Sequence, residues 1–212
     1  MPSLQTLLMF ATASLALAVI PGPTMLLALS NGMGGGLRRA AWGMAGANLG
    51  SVIVISVVAV GLGALLASSA WLFEAVRAVG VLYLLWLAVQ LWRSPPQDVR
   101  AALAQVPGQQ MQGRAAFVRS LLVALSNPKS LLFFAAFLPQ FVDPAQAMVP
   151  QYALLGALFV AIDALVMVAY ALAGRQAVRW LSGDGLRWLH RGCAVGMGLL
   201  ALLLASVRRQ AA

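Results

Sequence analysis

Long runs without charge constrain this chain more than any single motif. No charged side chain stands between Met1 and Leu37, and none between Arg39 and Glu74. A helix needs about 20 apolar residues to cross a bilayer. Residues 4–30 and 40–67 therefore read as two membrane spans. A shorter third span covers 78–92, bounded by Arg77 and Arg93, whose long side chains reach back toward the interface. Residues 115–138, 150–173 and 192–207 follow, the last extended by Trp188 and Leu189. Trp71, Trp86, Trp92, Trp180 and Trp188 fall near span ends or flanks, mostly where interfacial anchors belong. Ala16-Leu17-Ala18 resembles a signal cleavage site, but no Lys or Arg precedes it, so the first run reads as retained.

Composition supports this reading. Hydrophobic residues make up 62% of the 212 and charged residues 9%, whereas soluble domains run near half apolar and a quarter charged. One cysteine, Cys193, excludes an intramolecular disulfide, and one histidine, His190, is no metal site. No cofactor and no metal are expected. The net charge of +9 is a topogenic signal, because the basic residues sit between apolar runs, and no nucleic-acid partner is implied. With six spans, Arg38, Arg39, Arg93, Arg100, Arg114, Arg119, Arg175, Arg179, Arg187 and Arg191 fall on one side. Arg77, Arg208 and Arg209 fall on the other. The positive-inside rule makes the first side cytoplasmic, with both termini outside. A five-span alternative stays open at the short third and sixth runs.

The polar stretch 94–114 divides the chain into two halves of three spans. It reads as a cytoplasmic loop that leaves room for a short surface helix. The expected fold is thus all-α: one membrane domain over 1–212, a three-helix repeat at 1–93 and an inverted one at 115–212. The first span carries Pro21-Gly22-Pro23 and the fourth Asn127-Pro128-Lys129. Proline has no N–H and clashes with the carbonyl four residues back, so each motif breaks its helix. The freed backbone groups cannot face lipid and must line protein or a wet cavity. Inverted repeats with broken helices in matching places point to a transporter site.

Lys129 and Asp163 are the ionisable residues well inside the spans. Each costs about 2.5–3.5 kcal/mol at a helix centre, and such residues are usually functional and paired. At 1.5 Å per residue, Lys129 lies roughly 15 Å beyond Arg119 and Asp163 roughly 18 Å before Arg175. Asn48 lies roughly 13 Å beyond Arg39. The three share one depth with the Pro-Gly-Pro break. Lys129 and Asp163 are expected to interact directly or through water or substrate. Asn48 reads equally as interhelical glue. Tyr170, on the same helix face as Asp163, reads as a substrate contact or an interfacial anchor. Gly46-x-x-x-Gly50 and Gly192-x-x-x-Gly196 read as close-packing faces. Gly34-Gly35-Gly36 reads as a cytoplasmic turn and hinge, with no phosphate-loop lysine after it.

Three stretches carry a resemblance. Residues 20–29 (IPGPTMLLAL), 80–88 (GVLYLLWLA) and above all 126–143 (SNPKSLLFFAAFLPQFVD) resemble the LysE/RhtB family of amino-acid exporters, in order and over nearly the full length. The resemblance implies a six-helix secondary exporter of amino acids or related metabolites in the bacterial inner membrane, driven by the proton gradient. It carries Pro21, Gly22, Pro23, Asn127, Pro128 and Lys129 over as family positions. Thr24 departs from the Asn that many members place there, which leaves the substrate open. The two intramembrane charges sum to zero, which favours a neutral amino acid over a basic one, and the resemblance implies a homoserine- or threonine-like one. Basic amino acids, other metabolites, a channel, a structural subunit and a homo-oligomer built on the small-residue faces remain alternatives. An enzyme does not, because nucleophile–base pairs, metal ligands and a second intramembrane acid are lacking.

Overall fold

The computed structural model describes residues 2–68, 70–93, 99–104, 113–143, 145–180 and 184–206. Their regular structure is all helical, with no strand among them. The helices are α1 (Leu4–Val19), α2 (Pro23–Ser68), α3 (Ala70–Arg93), α4 (Val99–Ala104), α5 (Gly113–Ser126), α6 (Pro128–Leu132), α7 (Met148–Trp180) and α8 (Asp184–Ser206). The surface helix allowed for between the halves is α4. Most of the polar loop around it, including Ser94-Pro95-Pro96, lies outside the described residues, as do Arg208 and Arg209.

Both proline motifs break their helices. Leu4–Val19 and Pro23–Met33 meet at 60°, and Gly113–Ser126 and Pro128–Phe141 at 49°. In each case the residue before proline is extended, as the proline ring demands: Ile20 has φ −69° and ψ 120°, Asn127 φ −74° and ψ 108°. Beyond α6 the helix widens into a π-turn, Phe133–Phe137, then tightens to 3-10 geometry over Leu138–Phe141. Pro139 cannot donate to the carbonyl four residues back, so α geometry is abandoned ahead of it. The widened turn gathers Phe133, Phe134 and Phe137 around Phe10, Phe141 and Phe159 in an aromatic core, with ring centroids 4.6–6.4 Å apart.

Among the described residues two helices are long and apolar enough to cross a membrane, Gly36–Gly61 and Met148–Gly174; counting each bent pair as one span gives four. Ala78–Arg93 is a shorter apolar helix. Two positions need a left-handed backbone, which glycine supplies without strain. They are Gly36 (φ 67°), which separates Pro23–Met33 from the rest of α2, and Gly174 (φ 46°), near the end of α7. The expected turn at the triple glycine is therefore a sharp bend at one residue.

The bundle is built by α2 packing on α5 and α7, with α1 on α7 and α8, and α3 on α8. A Cβ at Gly46 would strike the backbone of Phe117, and one at Gly50 would strike the Cβ of Ala124, so that small-residue face is a packing face. The Gly192/Gly196 face is not. Among the described residues nothing lies within 4 Å of a Cβ at either glycine. Arg39, counted above among loop cations, is 5% exposed and folds back to donate from Nη2 to the carbonyl of Ser30 at 3.2 Å. A cation is favoured there, at the end of the Pro23–Met33 segment.

Candidate functional site

The first break frees particular carbonyls. In an α-helix the N–H of residue i donates to the carbonyl of residue i−4. Pro21 therefore leaves Leu17 without its helical donor, and Pro23 leaves Val19 without one. Both carbonyls are filled by side chains from distant parts of the chain. Lys129 Nζ donates to the Leu17 carbonyl at 2.5 Å and to the Ile20 carbonyl at 3.0 Å. Tyr170 Oη donates to the Val19 carbonyl at 2.7 Å. Gly22 lies against the lysine stem, where a Cβ would sit in ordinary contact, 3.8 Å from its Cδ and Nζ.

The second break positions that lysine. Asn127, 4% exposed, caps α6 by accepting the Lys129 N–H on Oδ1 at 3.1 Å. Pro128 sits at the first helical position, where its missing N–H costs nothing. Tyr83 Oη reaches the Lys129 carbonyl at 3.5 Å. The side chain of Lys129 thus leaves a capped helix start and crosses to the other break.

Asp163 stands on α7 beside them, 8% exposed. It lines a small cavity with Leu17, Thr24, Asn127, Lys129 and Phe159. The cavity measures about 10 Å³, roughly the room of one water. Among the described residues Asp163 and Lys129 form no direct ion pair. The lysine spends its donors on the broken helix, and the carboxylate faces the cavity without a hydrogen bond. Thr24 and Met25 open the second half-helix, where backbone N–H groups lack helical partners and the dipole favours an anion.

Of the residues singled out from sequence, Pro21, Gly22, Pro23, Asn127, Pro128, Lys129, Asp163 and Tyr170 converge on this region. Asn48 does not line the cavity. It lies on α2, partly buried, with Oδ1 unpartnered among the described residues. Phe159, Ser130 and Met25 line the cavity and were not anticipated. Phe159 precedes Asp163 by one helical turn, a spacing that places both on one face. His190 is 5% exposed on α8, and its Nδ1 is buried without a hydrogen-bond partner among the described residues. A second opening, about 620 Å³ between α2 and α7, is lined by Val52, Ile55, Val60, Val149, Tyr152 and Gly156 among others. It holds no charged side chain and lies apart from the broken helices.

Tyr170→Phe tests the latch onto Val19. Removing the hydroxyl leaves a buried carbonyl with no donor, which costs about 1–2 kcal/mol. The expected outcome is folded protein with a melting temperature several degrees lower, measured by thermal unfolding in detergent. An unchanged melting temperature would mean that water replaces the hydroxyl without loss.

Comparison with known proteins supplies the wider setting. The homoserine/homoserine lactone efflux protein of Salmonella typhi is 35% identical over 200 residues, 94% of this chain and 95% of that protein. The leucine efflux protein of an Enterobacter species is 31% identical over 134 residues, 63% of this chain and 62% of that protein. An uncharacterized membrane protein of Vibrio cholerae is 34% identical over 175 residues, 82% of this chain and 83% of that protein. No solved structure matches. The family described as LysE type translocator matches residues 15–208, and the chain belongs to it.

Proposed function

We propose that the chain is a secondary exporter of neutral amino acids, homoserine- or threonine-like, across the bacterial inner membrane, driven by the proton gradient. The observation that carries this reading is the meeting of the two broken helices. Carbonyls freed by Pro21 and Pro23 in the first half are held by Lys129 and Tyr170 of the second, beside a buried Asp163 that makes no hydrogen bond or direct ion pair among the described residues and feels the Lys129 charge through space. An amino acid's carboxylate binds near Lys129 and the open N–H groups of Thr24 and Met25. Its ammonium binds near Asp163 and the freed carbonyls. Protonation of Asp163 couples proton entry to export. The relatives' names, homoserine efflux and leucine efflux, support the neutral class, as does the zero sum of the two buried charges.

The same reading makes the architecture six spans in two inverted halves, 1–93 and 115–212, joined by the cytoplasmic loop 94–114. Two bent pairs in matching places support it, as does pairing across the halves: α2 on α5, and the Pro23–Met33 segment on α7 through Gly32 at Ala171. The arginine-rich side is cytoplasmic and both termini face outward. The larger apolar opening between α2 and α7 offers nothing to hold an amino acid's charged ends.

The test is efflux of labelled neutral, basic and sulfur amino acids from proteoliposomes, with and without an inward proton gradient. Gradient-stimulated efflux of one neutral group is expected. Efflux of basic amino acids alone would overturn the substrate class. Absence of amino-acid efflux from folded protein would overturn the exporter reading.

A further inference from the structure

Resting on that reading and going beyond it, we propose that the Leu17 and Ile20 carbonyls form a binding site for a primary ammonium. Lys129 fills that site as a tethered occupant, and the substrate's ammonium takes its place. The Lys129 Nζ sits 2.5 Å from one carbonyl oxygen and 3.0 Å from the other, so both accept from one –NH3+ group. That group has three donors and no acceptor. The α-ammonium of an amino acid is the same group without the tether. It meets two carbonyls already spaced for it.

Two cations cannot share the pair. At such separation like charges repel strongly in a buried site. Arrival of the substrate ammonium therefore requires Lys129 to leave, and the cavity gives it a destination. Asp163 lines the same space, buried, drawn to the Lys129 charge and without a hydrogen bond or direct ion pair among the described residues. At about 10 Å³ the cavity is also too small for an amino acid beside a docked lysine. Substrate binding and lysine release are thus one event: the substrate takes the carbonyls, and Lys129 pairs with Asp163. The carboxylate is discharged by the protein's own cation when cargo is aboard and is left free when it is not.

This makes a prediction that a purely structural Lys129 does not share. Removing the tether should open the site to a free amine. The experiment measures thermal unfolding of the full chain in nanodiscs, titrated with ethylammonium chloride against tetramethylammonium chloride at equal ionic strength. Wild type, Lys129→Ala, Lys129→Met and Tyr170→Phe are compared. Lys129→Ala should melt lower than wild type and be restored saturably by ethylammonium, by about 2–4 °C. Tetramethylammonium, which has no N–H, should not restore it. Half-saturation should lie at least roughly tenfold below that of wild type, where the tethered lysine competes at its own effective concentration. Tyr170→Phe, which frees a different carbonyl, should melt lower yet respond to ethylammonium as wild type does.

Lys129→Met keeps most of the stem and serves if Lys129→Ala does not fold; the same amine selectivity is expected. Equal shifts in wild type and both lysine variants, or no difference between the two ammonium salts, would overturn the proposal. The readout is independent of transport. An amine-selective shift in a chain that exports nothing keeps the ammonium site and removes the exporter reading; intact efflux with no such shift does the reverse.

Discussion

Asp163→Asn is expected to cut gradient-driven efflux by roughly 10- to 100-fold while leaving the melting temperature unchanged or raised. The first half follows from a lost charge-assisted contact to substrate or lysine, worth about 1.5–3 kcal/mol. The second follows from where the carboxylate sits. It is 8% exposed and makes no ion pair or hydrogen bond among the described residues. Lys129 acts on it only through space, a buried charge without a hydrogen bond is a cost to the fold, and the amide removes the charge while keeping the shape. Stability stored against function in this way is common at active sites.

A structural role predicts the opposite sign. Were Asp163 and Lys129 a salt bridge that only joins α7 to α6, breaking it from one side would cost about 3–5 kcal/mol. Asp163→Asn would then melt several degrees lower. The two readings part on one preparation, with efflux and thermal unfolding measured side by side. Normal transport in the variant would sink the coupling role whatever the melting temperature. Lys129 has no such split, because its ammonium holds two carbonyls and its loss leaves both without a donor.

The site was legible in the sequence to the extent that its chemistry is local. A proline removes a donor wherever it stands, so both breaks could be placed from Pro21, Pro23 and Pro128 alone. Charges inside apolar runs are rare enough that Lys129 and Asp163 identify themselves. The i−4 rule even names Leu17 and Val19 as the freed carbonyls, a signal present in the sequence and not used. What fills them was not legible. Tyr170 and Val19 are 151 residues apart, and Lys129 and Leu17 112, and no periodicity encodes such a meeting. The expectation that Lys129 and Asp163 interact holds at the level of a shared cavity. That the lysine prefers carbonyls to the carboxylate is a matter of tertiary geometry. Asn48 shows the converse: its depth matched the polar layer, but depth along a helix says nothing about which way a residue faces around it. The spans at 78–92 and 192–207 fall short for a related reason. They match the apolar core of longer helices, Ala70–Arg93 and Asp184–Ser206, whose flanking residues are too polar to read as membrane.

Glycine spacing gives the second large prediction, because the sequence offers two motifs that look alike and the structure separates them. Gly46→Leu is expected to abolish folded protein. Its Cβ alone would collide with the backbone of Phe117, which cannot rotate aside as a side chain would. Forcing α2 off α5 there also opens the contact of Gly50 with Ala124, one turn on. Overpacking usually costs 1–3 kcal/mol and occasionally more; a clash with backbone on the most extensive helix pair belongs at the upper end. A loss of about 3 kcal/mol or more removes most of the stability of a marginal fold. Gly192→Leu, by contrast, points into open space and should change stability by no more than about 0.5 kcal/mol. Size-exclusion profiles of fluorescently tagged variants check both at once. A monodisperse Gly46→Leu would mean that α2 and α5 do not pack as described. Collapse of Gly192→Leu would mean that this face of α8 is covered by a second copy of the chain, the assembly that a small-residue face invites.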